Sequence, residues 1–174
     1  MYAGTQRLGC FIETLAHFRR NPAVEAVLRT IGGENDFVPV GTVPVEWLEP
    51  RLMGLANMTG RFAGVYEARW IGQMVARGAE LAMDRIDLSV LMQDSPRSLT
   101  QQVSAMVREI ALDCHGVRYL SRFGTDLENW AIFEPFTVLI PVESEQITAE
   151  DPELLRALQL LGLRFEQERL PATD

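Results

Sequence analysis

Apolar residues recur at helical spacing from the start of the chain: Leu8, Phe11, Ile12, Leu15 and Phe18 predict an amphipathic helix over residues 7–20, stopped by Asn21-Pro22. Residues 1–4 before it read as the end of a strand. A second helical segment is expected over residues 23–31, with Gly32-Gly33 as its exit. Residues 37–48 are rich in Val and Pro and predict short extended pieces. Residues 51–66 predict a strand and turn, broken at Thr59-Gly60. A helix follows over residues 67–83, weakened by Gly72 and Gly78, and residues 86–91 read as a short strand or loop edge. Leu99, Val103, Met106, Val107 and Ile110 share one face of a strong helix that Ser95 or Ser98 can cap and Gly116 can end. Strands are expected over 117–120, 130–133 and 136–142, with Pro135 between the last two and a polar loop ahead of Trp130. Pro152 sits early in a final helix over 153–161.

Strands and helices mix without a regular βα alternation, and no Gly-rich phosphate loop follows a strand, so a doubly wound dinucleotide fold lacks its fingerprint. The pattern predicts an α+β fold. No repeat, low-complexity tract or Pro/Gly/Ser linker divides the chain, which is read as a single domain over residues 1–174.

Composition narrows the function classes. Hydrophobic residues make up 47% and charged residues 23%, ordinary for a water-soluble domain. No apolar run reaches the roughly 18 residues of a membrane span, and no signal-peptide pattern opens the chain, so a cytoplasmic protein is expected. A net charge of −8 argues against non-specific nucleic-acid binding. All 16 basic residues are arginine. GC-rich coding accounts for that; the sharper reading is that some of them fork onto anionic ligands. Cys10 and Cys114 have neither CxxC nor metal-ligand spacing and read as buried thiols. His17 and His115 stand in no ligand pattern, so no metal site is expected.

The candidate chemistry lies in residues 116–135, "GVRYLSRFGTDLENWAIFEP". Ser121 and Arg122 close one apolar run and Trp130 opens the next. At the mouth of a sheet the serine hydroxyl can bond a ribose or phosphate oxygen, and Arg122 can fork onto a phosphate. Trp130 can stack on a flat ring; its ordinary reading is a core tryptophan, and that of the loop a surface turn.

"GVRYLSRFG...NWAIFE" resembles the C-terminal signature of the RES-domain family, named for an Arg, a Glu and a Ser. "MYAGTQRLGCFIETLAHFR" resembles the Tyr-Ala segment of that family, which leads into a helix bearing its Glu. The resemblance covers roughly residues 1–136. It implies a fold like that of ADP-ribosyltransferases, with a split, twisted sheet around a cleft. The implied activity is cleavage of the nicotinamide N-glycosidic bond of NAD, by a phosphorylase or glycohydrolase, with NAD as substrate and no retained cofactor. A bacterial-type toxin, alone or neutralised by an Xre-like antitoxin protein, is the implied setting. Tyr2 then matches the active-site tyrosine, Glu13 the glutamate and Ser121 the serine, with Arg122 and Trp130 as further substrate-binding candidates. These residues are expected to converge on one pocket.

The family's arginine lies in a Gly-Arg-Phe segment shortly before the tyrosine, and Tyr2 leaves no position for it. The domain is therefore expected to be N-terminally incomplete relative to the family, or to have lost the site. "TGRFAGVY", residues 59–66, imitates that segment but in the wrong order. The alternatives are a degenerate, non-catalytic binding domain and a protein ADP-ribosyltransferase.

The chemistry fits the assignment. Loss of nicotinamide leaves an oxocarbenium-like ribose, and a carboxylate opposes that charge. Glu13 falls off the apolar stripe of its helix, so it can face a cleft; a solvated helix glutamate is its ordinary reading. Tyr2 can stack on nicotinamide or bond a ribose hydroxyl. The apolar, irregular residues 37–62 and a sheet edge left bare by the missing segment predict a homodimer.

Overall fold

The computed structural model describes residues 1–19, 41–80, 97–134 and 139–166. They form a mixed α+β architecture with open sheets and flanking helices. The expected helix at 23–31 and the expected strand at 86–91 lie outside the described residues. Among the described residues no helix is long and apolar enough to cross a membrane. The chain divides into two compact units, Met1–Cys10 with Leu55–Glu143, and Phe11–Gly54 with Ser144–Asp174.

The first unit is built on a four-stranded sheet. Strand β1 (Tyr2–Gly4) pairs antiparallel with β6 (Gly124–Ile132), β6 antiparallel with β5 (Gly116–Ser121), and β5 parallel with β4 (Phe62–Gly64). One face is packed by two helices, α2 (Ala68–Glu80) and α3 (Arg97–Ile110). Trp70 and Met74 from α2 and Val103, Met106 and Val107 from α3 meet Ala63, Val65 and Val117 in one buried cluster, with Tyr119 and Ala131 packed against it. Val103, Met106 and Val107 follow the predicted stripe, whereas Ile110 at the end of α3 stays partly exposed. Ser98 lies inside α3 rather than before it, so it is not the cap.

Two expectations change here. Gly116 does not end α3, which stops at Ile110; it is the first residue of β5, opposite Ile132. A Cβ there would collide with the backbone carbonyl oxygen of Ala131, so only glycine lets the strands come this close. The expected polar loop before Trp130 is mostly strand. β6 begins at Gly124, and a two-residue turn of Arg122 and Phe123 joins it to β5. Asp126, Glu128 and Asn129 hide the strand from a hydrophobicity pattern, although the ladder needs only their backbone groups.

The second unit holds the short parallel pair β2 (Thr42–Val43) and β8 (Arg164–Phe165) and the helix α4 (Pro152–Leu161). Asp151 caps α4 by accepting from the Glu153 and Leu154 amides at 2.9 and 3.2 Å, Pro152 opens it, and Gly162 ends it with φ 66°. Leu154, Ala157, Leu158 and Leu161 of α4 are buried, as are Val43, Trp47 and Leu48.

The helix α1 (Arg7–Leu15) runs through the division between the units. It ends earlier than predicted and continues as a 3-10 turn over Ala16–Phe18. Leu8, Phe11, Ile12 and Leu15 are buried, the stripe read from spacing. The remaining strands, β3 (Leu52–Met58) and β7 (Leu139–Gln146), form a two-stranded ribbon of their own, and the division also crosses both.

Candidate functional site

Strand register decides which side chains share a face of the four-stranded sheet. Tyr2 is opposite Ala131, which is opposite Val117. Gly4 is opposite Asn129, which is opposite Tyr119. Side chains alternate along each strand, so Tyr2, Asn129 and Tyr119 belong to the helix-covered face, while the ladder shifts register between Leu120 and Ser121. Ala3, Trp130 and Arg118 form a row on the other face.

Asn129 and Ser121 are the buried polar residues of β5 and β6, Asn129 on the helix-covered face. The first turn of α1 lies over Asn129. A Cβ on Gly4 would stand 2.8 Å from Cys10 Sγ and 3.3 Å from Asn129 Oδ1, and one on Gly9 would be 3.9 Å from the same oxygen. The two glycines thus let helix and strand approach around a buried amide. Such an amide has to be hydrogen-bonded, and it brings a donor and an acceptor into an otherwise apolar layer.

Ser121 is 1% exposed and its Oγ accepts from the Phe123 amide at 3.1 Å. That bond spans the hairpin turn, the local role serine hydroxyls commonly take. Arg122 is exposed in the turn and its guanidinium lies 4.8 Å from the centre of the Phe123 ring. Tyr2 is exposed at the edge of the sheet. Its level on the ladder is that of Val117, four residues before Ser121 and two strands away. Strand rise and spacing make the separation roughly 15 Å. The sheet therefore holds Tyr2 and Ser121 without making them neighbours, and it puts Trp130 on the face opposite Tyr2. Glu13 lies in the second unit, exposed on α1 and off the buried stripe. Cys114 is buried, whereas Cys10 is only half-buried, and neither is in a disulfide. Burial first, and then the Asp113 carboxylate, push the Cys114 thiol up.

The opposite face carries a charged network. Arg118 bridges Glu67 Oε1 at 2.8 Å and Glu128 Oε1 at 3.4 Å. Tyr66 donates its hydroxyl to Glu128 Oε1 at 2.8 Å, and Thr5 donates to Glu128 Oε2 at 3.3 Å. The indole N–H of Trp130 donates to Thr5 Oγ1 at 3.0 Å. The Arg118 guanidinium lies 5.3 Å from the Tyr66 ring centre and 5.6 Å from that of Trp130, within cation–π range. Trp130 also meets the edge of Phe62, with ring centres 4.9 Å apart. Glu67 sits just ahead of α2, and its second oxygen takes Arg69 Nε at 3.0 Å. Gly64 leaves the space that the Glu67 carboxylate occupies. Burial raises the Tyr66 pKa, and the hydrogen bond to and charge of Glu128 add to it, against an opposing effect from Arg118.

Trp130 is thus half-buried and hydrogen-bonded, between a core residue and an open stacking platform. Sequence reading missed Asn129, Arg118, Glu128, Glu67 and Tyr66. A signal was present for some of them. Glu128 and Trp130 are two apart and share a face, and a polar Asn129 between them must point the other way. Tyr66 lies in "TGRFAGVY", a segment whose order does not fit the resemblance. Its Arg61 pairs with Asp113 and does not join the network.

No family model, curated protein or solved structure matches the chain.

Proposed function

We propose that this chain is a RES-type, NAD-consuming enzyme with an ADP-ribosyltransferase-like fold, which breaks the bond between nicotinamide and ribose. The observation that carries the reading is that Tyr2 and Ser121 belong to one sheet. Two segments from distant parts of the chain, each resembling the family, pair through β1 and β6, with the buried Asn129 between the levels of Tyr2 and Ser121.

In the reaction the C1′–N1 bond breaks and its electron pair goes to the ring nitrogen, releasing neutral nicotinamide. Phosphate or water then adds to C1′. Glu13, which the resemblance matches to the family's glutamate, is the carboxylate assigned to oppose the charge on the ribose. Tyr2 contacts the nicotinamide ribose. Ser121 holds the hairpin in shape rather than reaching for substrate, since its hydroxyl is buried and serves the turn. Arg122, exposed beside it, takes a phosphate. In this reading the partners are NAD and an Xre-like antitoxin protein.

Incubation with NAD, with and without inorganic phosphate, tests the activity by chromatographic release of nicotinamide. Glu13→Gln should lower the rate on the order of a hundredfold, the cost of one preorganised electrostatic group. Its far-ultraviolet circular dichroism should stay that of the parent, because Glu13 is exposed. A parent chain that consumes no NAD under either condition overturns the reading. The burial of Ser121 favours a second one, a non-catalytic binding domain. It predicts no turnover and a tight protein partner.

A further inference from the structure

The β3–β7 ribbon is unlike the rest of the fold. β3, "LMGLANM", has no charged residue along its length, and β7 is its strand neighbour among the described residues. Leu52 and Leu55 are each 60% exposed, Ile140 is 62% and Val142 56% exposed. A two-stranded ribbon is marginal by itself, and an uncharged edge is open to pairing.

Alternation decides what kind of cover fits. Leu52 and Leu55 are three apart and point to opposite faces of β3. A layer packed on one face would cover only one of them. A strand added at the edge gives both an apolar neighbour. β3 itself has the composition such a strand needs. In antiparallel pairing about Leu55, two copies set Leu55 opposite Leu55, Leu52 opposite Met58, and Met53 opposite Asn57. The outer edge of β7 suits this less, because Pro141 lacks an N–H, and antiparallel pairing about Ser144 would set Glu143 opposite Glu145 of the other copy in a chain of net charge −8.

We propose that the chain forms a homodimer through the edge of β3, with β3 of a second copy as the occupant, so that two ribbons join into one four-stranded sheet.

Light scattering coupled to size-exclusion chromatography of the full chain should give a dimer. Leu55→Arg should weaken it roughly a hundredfold or more, since like charges then meet at the two-fold axis. Leu112→Arg, at an exposed leucine outside the ribbon, should leave the dimer intact. Circular dichroism checks that both variants are folded. In a Cys10→Ser background, Leu55→Cys should give a disulfide-linked dimer on mild oxidation and Leu112→Cys should not. A parent chain that is monomeric at its highest soluble concentration overturns the proposal. So does a folded Leu55→Arg variant that dimerises as tightly as the parent, or a cross-link equally strong at Leu112→Cys.

Discussion

The four-stranded sheet and the β3–β7 ribbon use much the same residue types to opposite ends. In the sheet, Ala63, Val65 and Val117 are buried under Trp70, Met74, Val103, Met106 and Val107. In the ribbon, Leu52, Leu55, Ile140 and Val142 are more than half exposed. Strand formation is common to both, because ladder hydrogen bonds depend on the backbone. What differs is cover. Helices α2 and α3 lie over one face of the sheet and leave its other face to a charged network. An apolar strand thus carries no label for its own burial; the element packed on it supplies one.

The largest effect expected from this contrast is at Met74, fully buried between sheet and helices. Met74→Ala should cost about 2–5 kcal/mol in urea unfolding, the range for a truncated core side chain. A loss below about 1 kcal/mol would mean that the core collapses around the gap and that the contrast with the ribbon is weaker than drawn.

Gly116→Ala comes next. The added methyl meets the Ala131 carbonyl, which belongs to backbone and cannot swing aside. A loss of about 1–3 kcal/mol is expected, with amide exchange quickening at the β5–β6 ladder. An unchanged denaturation midpoint would show that the strands have room to part.

The charged face gives a smaller, pH-dependent effect. The Tyr66 pKa is raised above 10.0 by burial and by its bond to Glu128. The folded state therefore favours the neutral phenol. That contribution is complete below the unfolded pKa near 10 and is lost as pH rises through the higher folded value. Ultraviolet difference titration of the parent against Tyr66→Phe should show this tyrosine ionising later than a free one, and Glu128→Gln should reduce the delay. Ionisation at or below the ordinary value would contradict the network.

Leu52→Ser tests the other side of the contrast. At protein concentrations low enough to leave the chain monomeric, stability should shift by no more than about 0.5 kcal/mol. A larger loss would place Leu52 in a core.

Much of the secondary structure was legible in residue spacing. Leu8, Phe11, Ile12 and Leu15 mark α1, and Val103, Met106 and Val107 mark α3, because a helix buries one stripe and spacing along the chain is spacing around its axis. Thr59-Gly60 separates β3 from β4 as read, with Gly60 at φ 149°. The site was legible only in part. The stretch around Ser121 and Trp130 stood out, yet β6 was hidden where Asp126, Glu128 and Asn129 interrupt the apolar pattern. Ser121 reads as an exposed loop hydroxyl until the hairpin closes on it.

By itself, then, the sequence determined the helices α1 to α4, the break between β3 and β4, and the early place of Pro152 in α4. Each follows from local periodicity or from the backbone preferences of Pro and Gly over a few neighbouring residues. Tertiary structure alone decided that β1 lies against β6, that Arg118 meets Glu67 and Glu128 from separate elements, that Asn129 is buried, and that Leu55 is not. Those outcomes depend on strand register and on which element covers which face. Register is a relation between distant segments, and no local pattern contains it.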